Sequence, residues 1–280
     1  MPLAVEHIRL MRGGAQAHLL RCSDGGYYVV KFQNNPQAAR GGRILANELL
    51  GTRLAARIGL PTPAAAVVEV RQELVDLSEE LVIQVGTSRT KCRAGFQFGS
   101  RFPGEPAEVA VHDFLPDESL RQVANLADFV GALVFDKWTC NTNGRQAIFF
   151  PAADSSSRSA SGATGDYQAQ LIDQGFLFNA AEWNFPDAPL RGLYARHRVY
   201  ESVRGVESFE PWLARLERID ERVLDELASE IPPEWLDGGE GDGHDALYVL
   251  LEQLLRRRKR VPDLILEAKN SYRQPFVNWR

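Results

Sequence analysis

Hydrophobic and polar positions follow two different periods along this chain of 280 residues, and the change falls near residue 115. Upstream the pattern is strand-like. Residues 5–11 and 18–22 have strand character, and Tyr27-Tyr28-Val29-Val30-Lys31-Phe32 is aromatic and β-branched directly after Asp24-Gly25-Gly26, a hairpin signal. A helix is predicted from Arg43 to Ile58, stopped by Gly59 and then Pro61. Residues 64–70 and 81–85 again read as strands, and 86–106 is punctuated by Gly and Pro.

From Asp117, a plausible N-cap, apolar residues at 120, 123, 124, 127, 130 and 134 keep helical spacing. A strand pair is predicted at 146–150 and 168–172. The Ser/Gly/Ala-rich stretch 153–165 then reads as an insert within that hairpin. Beyond Glu182 the spacing predicts helices over 189–203, 208–229, 244–258 and 262–271, with a Gly-rich break at 237–243. These elements predict an α+β fold of two lobes. Residues 1–112 make a small antiparallel β-rich lobe with one helix, and residues 113–280 make a larger, mostly helical lobe.

A hydrophobic content of 44% is enough for a substantial core, and the net charge of −5 argues against a general nucleic-acid binder. No apolar run approaches the roughly 20 residues needed to cross a bilayer, and the N-terminus lacks a signal-peptide layout, so a cytoplasmic protein is expected. Cys22, Cys92 and Cys140 are too few and too scattered for a disulfide scaffold or a zinc site, and the five histidines show no metal-ligand spacing. Arg256-Arg257-Arg258-Lys259-Arg260 reads as a solvated helix end that complements the helix dipole.

The candidate chemistry lies in four features whose order matters more than any one of them. Gly13, Gly14, Ala15 and Gln16 lie between the first two strands, where glycines let backbone amides approach phosphate oxygens. Lys31 is in the strand after the hairpin, and Glu48 lies at the edge of the apolar helix face formed by Ile44, Gly51, Leu54 and Ile58. A carboxylate there needs a partner, and Lys31 is the evident one. Asp136 and Asn141 stand five positions apart at the end of a helix, and Asp173-Gln174-Gly175 closes the strand pair that follows. Each feature alone is commonly structural. In this order they match a phosphoryl-transfer site: Lys31 on phosphates, Asp136 handling the acceptor's proton, Asn141 and Asp173 holding Mg²⁺. Asn143-Gly144 reads equally well as a turn, with Arg145 beside it.

The chain resembles the HipA-like kinase family over roughly residues 8–180. The resemblance rests on Gly13-Gly14-Ala15-Gln16, on Lys31 with Ala46-Asn47-Glu48-Leu49-Leu50 through Gly59-Leu60-Pro61-Thr62-Pro63, and on Phe135-Asp136-Lys137-Trp138 to Arg145-Gln146 with Ile172-Asp173-Gln174-Gly175. It implies ATP- and Mg²⁺-dependent transfer of the γ-phosphoryl group to a Ser or Thr of a protein, with an antitoxin-like regulator as a further partner and neither membrane nor nucleic acid. Phe135 stands where a His-Arg-Asp loop would carry its basic residues, and no Ser or Thr lies between Gly13 and His18, so self-phosphorylation at that loop is not expected. Two other readings stay open: a kinase for a small alcohol or inositol headgroup, and a nucleotide-binding pseudokinase. The adenine-facing hinge is expected within 107–115.

Overall fold

The computed structural model describes residues 1–37, 41–152, 166–236 and 243–280. Its N-terminal part is a five-stranded antiparallel sheet in the order β1-β2-β3-β7-β4. The elements run β1 (Ala4–Leu10), β2 (His18–Cys22), β3 (Tyr27–Lys31), α1 (Gly41–Arg57), β4 (Ala65–Val70), α2 (Gln72–Leu77), β5 (Val82–Val85), β6 (Ser88–Lys91) and β7 (Gly95–Arg101). Leu3 bridges to Glu69, so the two outer strands approach each other and the sheet curls. In β3 the alternation divides labour: Tyr28 and Val30 join a core with Val68, Val75, Leu81 and Ile83, while Val29 and Lys31 face a cleft on the other side. Gly25, at φ 76°, makes the turn into β3, and Asp24 accepts from the Gly26 amide and the Tyr28 hydroxyl.

The helix predicted at 43–58 is α1, and its end is a Schellman motif: Gly59 (φ 77°) donates to Ala56, and Leu60 donates to Ala55. The Gly- and Pro-punctuated stretch 86–106 hides the sheet's best-paired strand, since β7 bonds to both β3 and β4. Its Gly99 is obligatory by contact, as a Cβ there would stand 2.5 Å from a Val68 methyl. The N-terminal part also holds two helices, α1 and the short α2, where one was expected.

The C-terminal part holds α3 (Asp117–Leu120), α4 (Asp128–Thr139), the hairpin β8 (Gln146–Pro151) and β9 (Tyr167–Ile172), then α5 (Glu210–Glu217), α6 (Glu221–Ala228), α7 (Gly243–Arg257) and α8 (Val261–Ser271). One core spans both parts. Leu45, Leu49 and Leu54 of α1 belong to the same apolar cluster as Phe129, Phe135 and Trp138 of α4.

Several helical expectations need correction. The spacing over 120–134 breaks into α3, turns and α4. Pro116, not Asp117, occupies the N-cap, because the Asp117 carboxylate is drawn to Arg196 (2.7 Å). The segment 189–203 is not a helix: Pro186, Pro189 and Gly192 precede a single 3₁₀ turn, His197–Tyr200. The helix expected at 208–229 is a 3₁₀ turn (Val206–Phe209), α5 and α6, broken where Asp220 accepts from Val223 and caps α6. The basic run is not simply solvated. Arg257 is buried against Asp187 (2.6 Å), and Arg258 donates to the Glu217 carbonyl. The hairpin insert 153–165 and most of the Gly-rich break lie outside the described residues. Among the described residues, no helix is long and apolar enough to cross a membrane.

The sheet buries a titratable pair that spacing alone did not reveal. His7 Nε2 and His18 Nδ1 are 3.1 Å apart, and His18 Nε2 lies 3.3 Å from the Val82 carbonyl. Burial, and then repulsion from His7, lower the His18 pKa to about 4. Between pH 6.5 and 4 the unfolded chain therefore binds a proton that the folded chain refuses, and stability falls as pH falls through this window. The expected loss is up to roughly 3 kcal/mol. His18→Gln should flatten the pH dependence of the urea midpoint between pH 6.5 and 4; an unchanged slope would show that this histidine does not titrate on unfolding.

Candidate active site

A cleft of about 670 Å³ lies between the sheet and the β8–β9 hairpin. Its apolar lining includes Val29 and Phe98 from the sheet and Ala147 and Leu171 from the hairpin. The wall at one end is Ser100–Pro103 with Val111 and Asp113. Of the stretch 107–115, Val111 and Asp113 line the cleft, together with Ser100–Pro103 at and after the end of β7.

Lys31 crosses the other end. Its ammonium contacts Glu48 and lies 2.6 Å from Asp173 Oδ1. All three groups are largely removed from water. Burial alone would lower the lysine pKa, but the two carboxylates outweigh it and hold the ammonium charged. Burial and the Asp173 charge push Glu48 up, whereas Lys31 holds Asp173 below the usual carboxylate range against its own burial. Asp173 therefore keeps its negative charge at the cleft.

Glu48 does more than orient Lys31. It accepts the amides of Gln174 and Gly175, each at 2.9 Å. This explains Gly175: a Cβ there would lie 2.9 Å from the Glu48 carboxylate and 2.9 Å from Ile44, so glycine is needed for close approach. The chain reversal belongs to Asp173 itself, which has φ 63°.

Gly13 (φ 121°) opens the loop after β1, and Gly14 has a Gln37 side chain where a Cβ would stand. Gly13, Gly14 and Ala15 line the cleft, and among the described residues no acceptor takes their amides. Gln16 does not line it. Its side-chain amide bonds both to the Gln84 carbonyl (2.6 Å) and to the Gln84 amide (2.7 Å), clasping the loop to β5.

Asp136 and Asn141 are placed otherwise than their spacing suggested. The Asp136 side chain is fully buried outside the cleft lining and bonds to Arg145 through both oxygens, one contact being Arg145 Nε at 3.0 Å. Asn141 Nδ2 donates to the same carboxylate (3.0 Å), and Asn141 Oδ1 accepts the Asn143 amide. Gly192 packs against the Asp136 Cβ from outside. The Asp136 carboxylate is the counter-ion of Arg145, which also donates to the Ile172 carbonyl (3.0 Å) and to Gln174 Oε1 (2.9 Å) and so ties the two loops together. Cys140 is buried in a left-handed turn at the end of α4, and burial raises its thiol pKa, which makes it a packing residue.

The residue that shares the cleft with Asp173 is Gln146, at the start of β8, with its amide nitrogen 2.7 Å from Asp173 Oδ2. A run of Asn-Gly-Arg-Gln reads as turn plus strand, and only the Gln146↔Ile172 register sets this side chain beside Asp173. No cluster of three or more His, Cys, Asp or Glu side chains could hold a metal among the described residues.

The sequence model of the HipA-like kinase family matches residues 5–147. In fold, the chain is similar to the crystal structure of the Golgi casein kinase, with a TM-score of 0.52, 14% identity, 96% of this chain and 74% of that one covered. It is similarly related to the same enzyme with Mn/ADP bound, at TM-score 0.51 and 13% identity, with 96% and 74% covered. No curated protein matches the sequence.

Replacing Asp136 with Asn leaves the Arg145 guanidinium buried without its counter-ion. A loss of about 3–5 kcal/mol is expected, read as a lower urea midpoint. A midpoint equal to wild type would mean that the pair does not hold the loops.

Proposed function

Because the chain belongs to the HipA-like kinase family, we propose that it binds ATP with Mg²⁺ in the cleft and transfers the γ-phosphoryl group to a serine or threonine of a protein. The observation that carries this reading is the buried triad Lys31, Glu48 and Asp173, beside a glycine loop with open amides. The protein-kinase-like fold and the Mn/ADP found in the Golgi casein kinase support it.

Val29, Phe98, Ala147 and Leu171 flank the base, and the amides of Gly13, Gly14 and Ala15 meet phosphate oxygens. Lys31, fixed by Glu48, reaches the phosphates as a point charge that cannot swing into solvent. A single charged carboxylate, Asp173, is a poor cage for a free cation but suits Mg²⁺ carried by nucleotide phosphates, which needs only one or two protein oxygens. Asp173 and the Gln146 carbonyl oxygen, once that amide turns, would hold it. The cation supplies neutralisation of charge on the transferring group.

Asp136 and Arg145 contribute by fixing the loops, not by touching the acceptor. The transition state of phosphoryl transfer is loose, so positioning and electrostatics supply most of the rate and a strong base is not essential. With Asp173 on the cation and Glu48 on Lys31, Asp113 is the remaining carboxylate of the cleft lining and can take the acceptor's proton.

The sealed Asp136 also favours a second reading, a nucleotide-binding regulatory module with little transfer activity. One experiment separates them. Purified protein incubated with Mg²⁺ and separately α- and γ-labelled ATP should pass γ-label, and no α-label, to a protein in cell extract. Asp173→Asn should lower transfer at least ~100-fold, in the range for removing a transition-state charge partner. Gln146→Ala should lower it by about ten-fold and raise the Mg²⁺ requirement. Tight ATP binding without transfer of either label would favour the regulatory module.

A further inference from the structure

Helix α1 grips the loop after Asp173 with two consecutive side chains. Glu48 takes the Gly175 amide, and Asn47 donates to the Gly175 carbonyl at 2.9 Å, so the two peptide groups that flank the Gly175 Cα are both held. The same Asn47 amide donates to the carbonyls of Leu177 (3.1 Å) and Ala180 (2.8 Å), and its oxygen accepts the Trp183 indole N–H (2.8 Å). Asn47 is buried, and its two amide hydrogens are shared among the three carbonyls while its oxygen takes the indole.

The segment it holds is strained. Phe178, Asn179, Ala180 and Trp183 all have φ between 51° and 59°, and Ala180 combines φ 58° with ψ −125°. Without glycine, such a conformation persists only where its surroundings impose it. Here Asn47 gathers the carbonyls, Arg43 lies over the Trp183 ring and donates to Ala181, and Gly51 leaves room for Leu177.

We propose that Asn47 is a positioning residue for the cation at Asp173, holding the strained segment 177–183 so that the peptide at Gly175, and with it Asp173, stays at the cleft. This rests on the reading that nucleotide and a divalent cation bind there. It makes cation affinity, not base or phosphate affinity, depend on an amide outside the cleft lining.

The test uses the full chain, with ADP and Mn²⁺ as probes, and compares wild type, Asn47→Asp and Trp183→Phe. Asn47→Asp keeps the shape and still accepts the indole N–H, but presents a carboxylate to three carbonyls. Trp183→Phe removes one contact and keeps the fold should the first variant fail to fold. In Asn47→Asp, hydrogen exchange across 174–184 should rise at least ten-fold while α4 is unchanged. The gain in ADP affinity that Mn²⁺ provides should fall about ten-fold, with metal-free ADP affinity unaltered. Trp183→Phe should shift both readouts in the same direction by a smaller factor. An intact Mn²⁺ gain, or equal losses with and without metal, would overturn the positioning role. Absence of any ADP binding by wild type would instead overturn the nucleotide reading on which it rests.

Discussion

One ammonium shared by two carboxylates is the constraint around which this molecule is arranged. Lys31 comes from the sheet, Glu48 from α1 and Asp173 from the turn after β9, so three otherwise separate elements meet at a point largely screened from water. Such a triad is not a good source of stability by itself, since desolvating three charges consumes most of what their attraction returns. Its value is specificity of arrangement. An unpaired member would be strongly unfavourable, so the sheet, the helix and the turn must adopt one relative placement, and Asp173 stays ionised where a cation and phosphates can use it.

The second buried pair extends this logic outward from the cleft, which Arg145 lines and Asp136 does not. Arg145 distributes its donors over Asp136, the Ile172 carbonyl and Gln174, fixing the turn that carries Asp173 from the side opposite Glu48. The turn is therefore clamped by an anion on one face and a cation on the other. That double clamp accounts for a left-handed aspartate at the cleft, a geometry only strong surroundings sustain.

The backbone plan was largely legible in the sequence. Period-two alternation with β-branched residues marked β1 to β4, and glycine followed by proline marked the end of α1. Where reading failed, a tertiary contact had overridden a local pattern. Strand β7 carries four aromatic or glycine positions, Gly95, Phe96, Phe98 and Gly99, that look like loop, and its Gly99 admits a neighbouring side chain instead of a turn. Residues 189–203 carry helical spacing but lie as a strap held by Lys137 donating to the Pro189 carbonyl and by Arg257 on Asp187.

The site shows the same division more sharply. Residue types and their order by themselves paired Lys31 with Glu48, because a carboxylate flanking the apolar face of α1 and a lysine on the preceding strand have few other partners, whereas the contact of Lys31 with Asp173 is tertiary. What only the tertiary structure decided is which neighbours reach the cleft. Asp136 and Asn141 have the spacing of a catalytic loop, yet the left-handed turn at Cys140 and the arrival of Arg145 bury them, while Gln146 and Asn47 acquire contacts with the metal loop. Spacing along a chain fixes which residues can share a turn or a helix face. It does not fix which way a loop closes, since that depends on which charges meet it: Arg145, nine residues on, closes over Asp136, while Lys31 and Glu48 reach the turn at Asp173 from more than a hundred residues away, once the sheet, α1 and the β8–β9 hairpin meet.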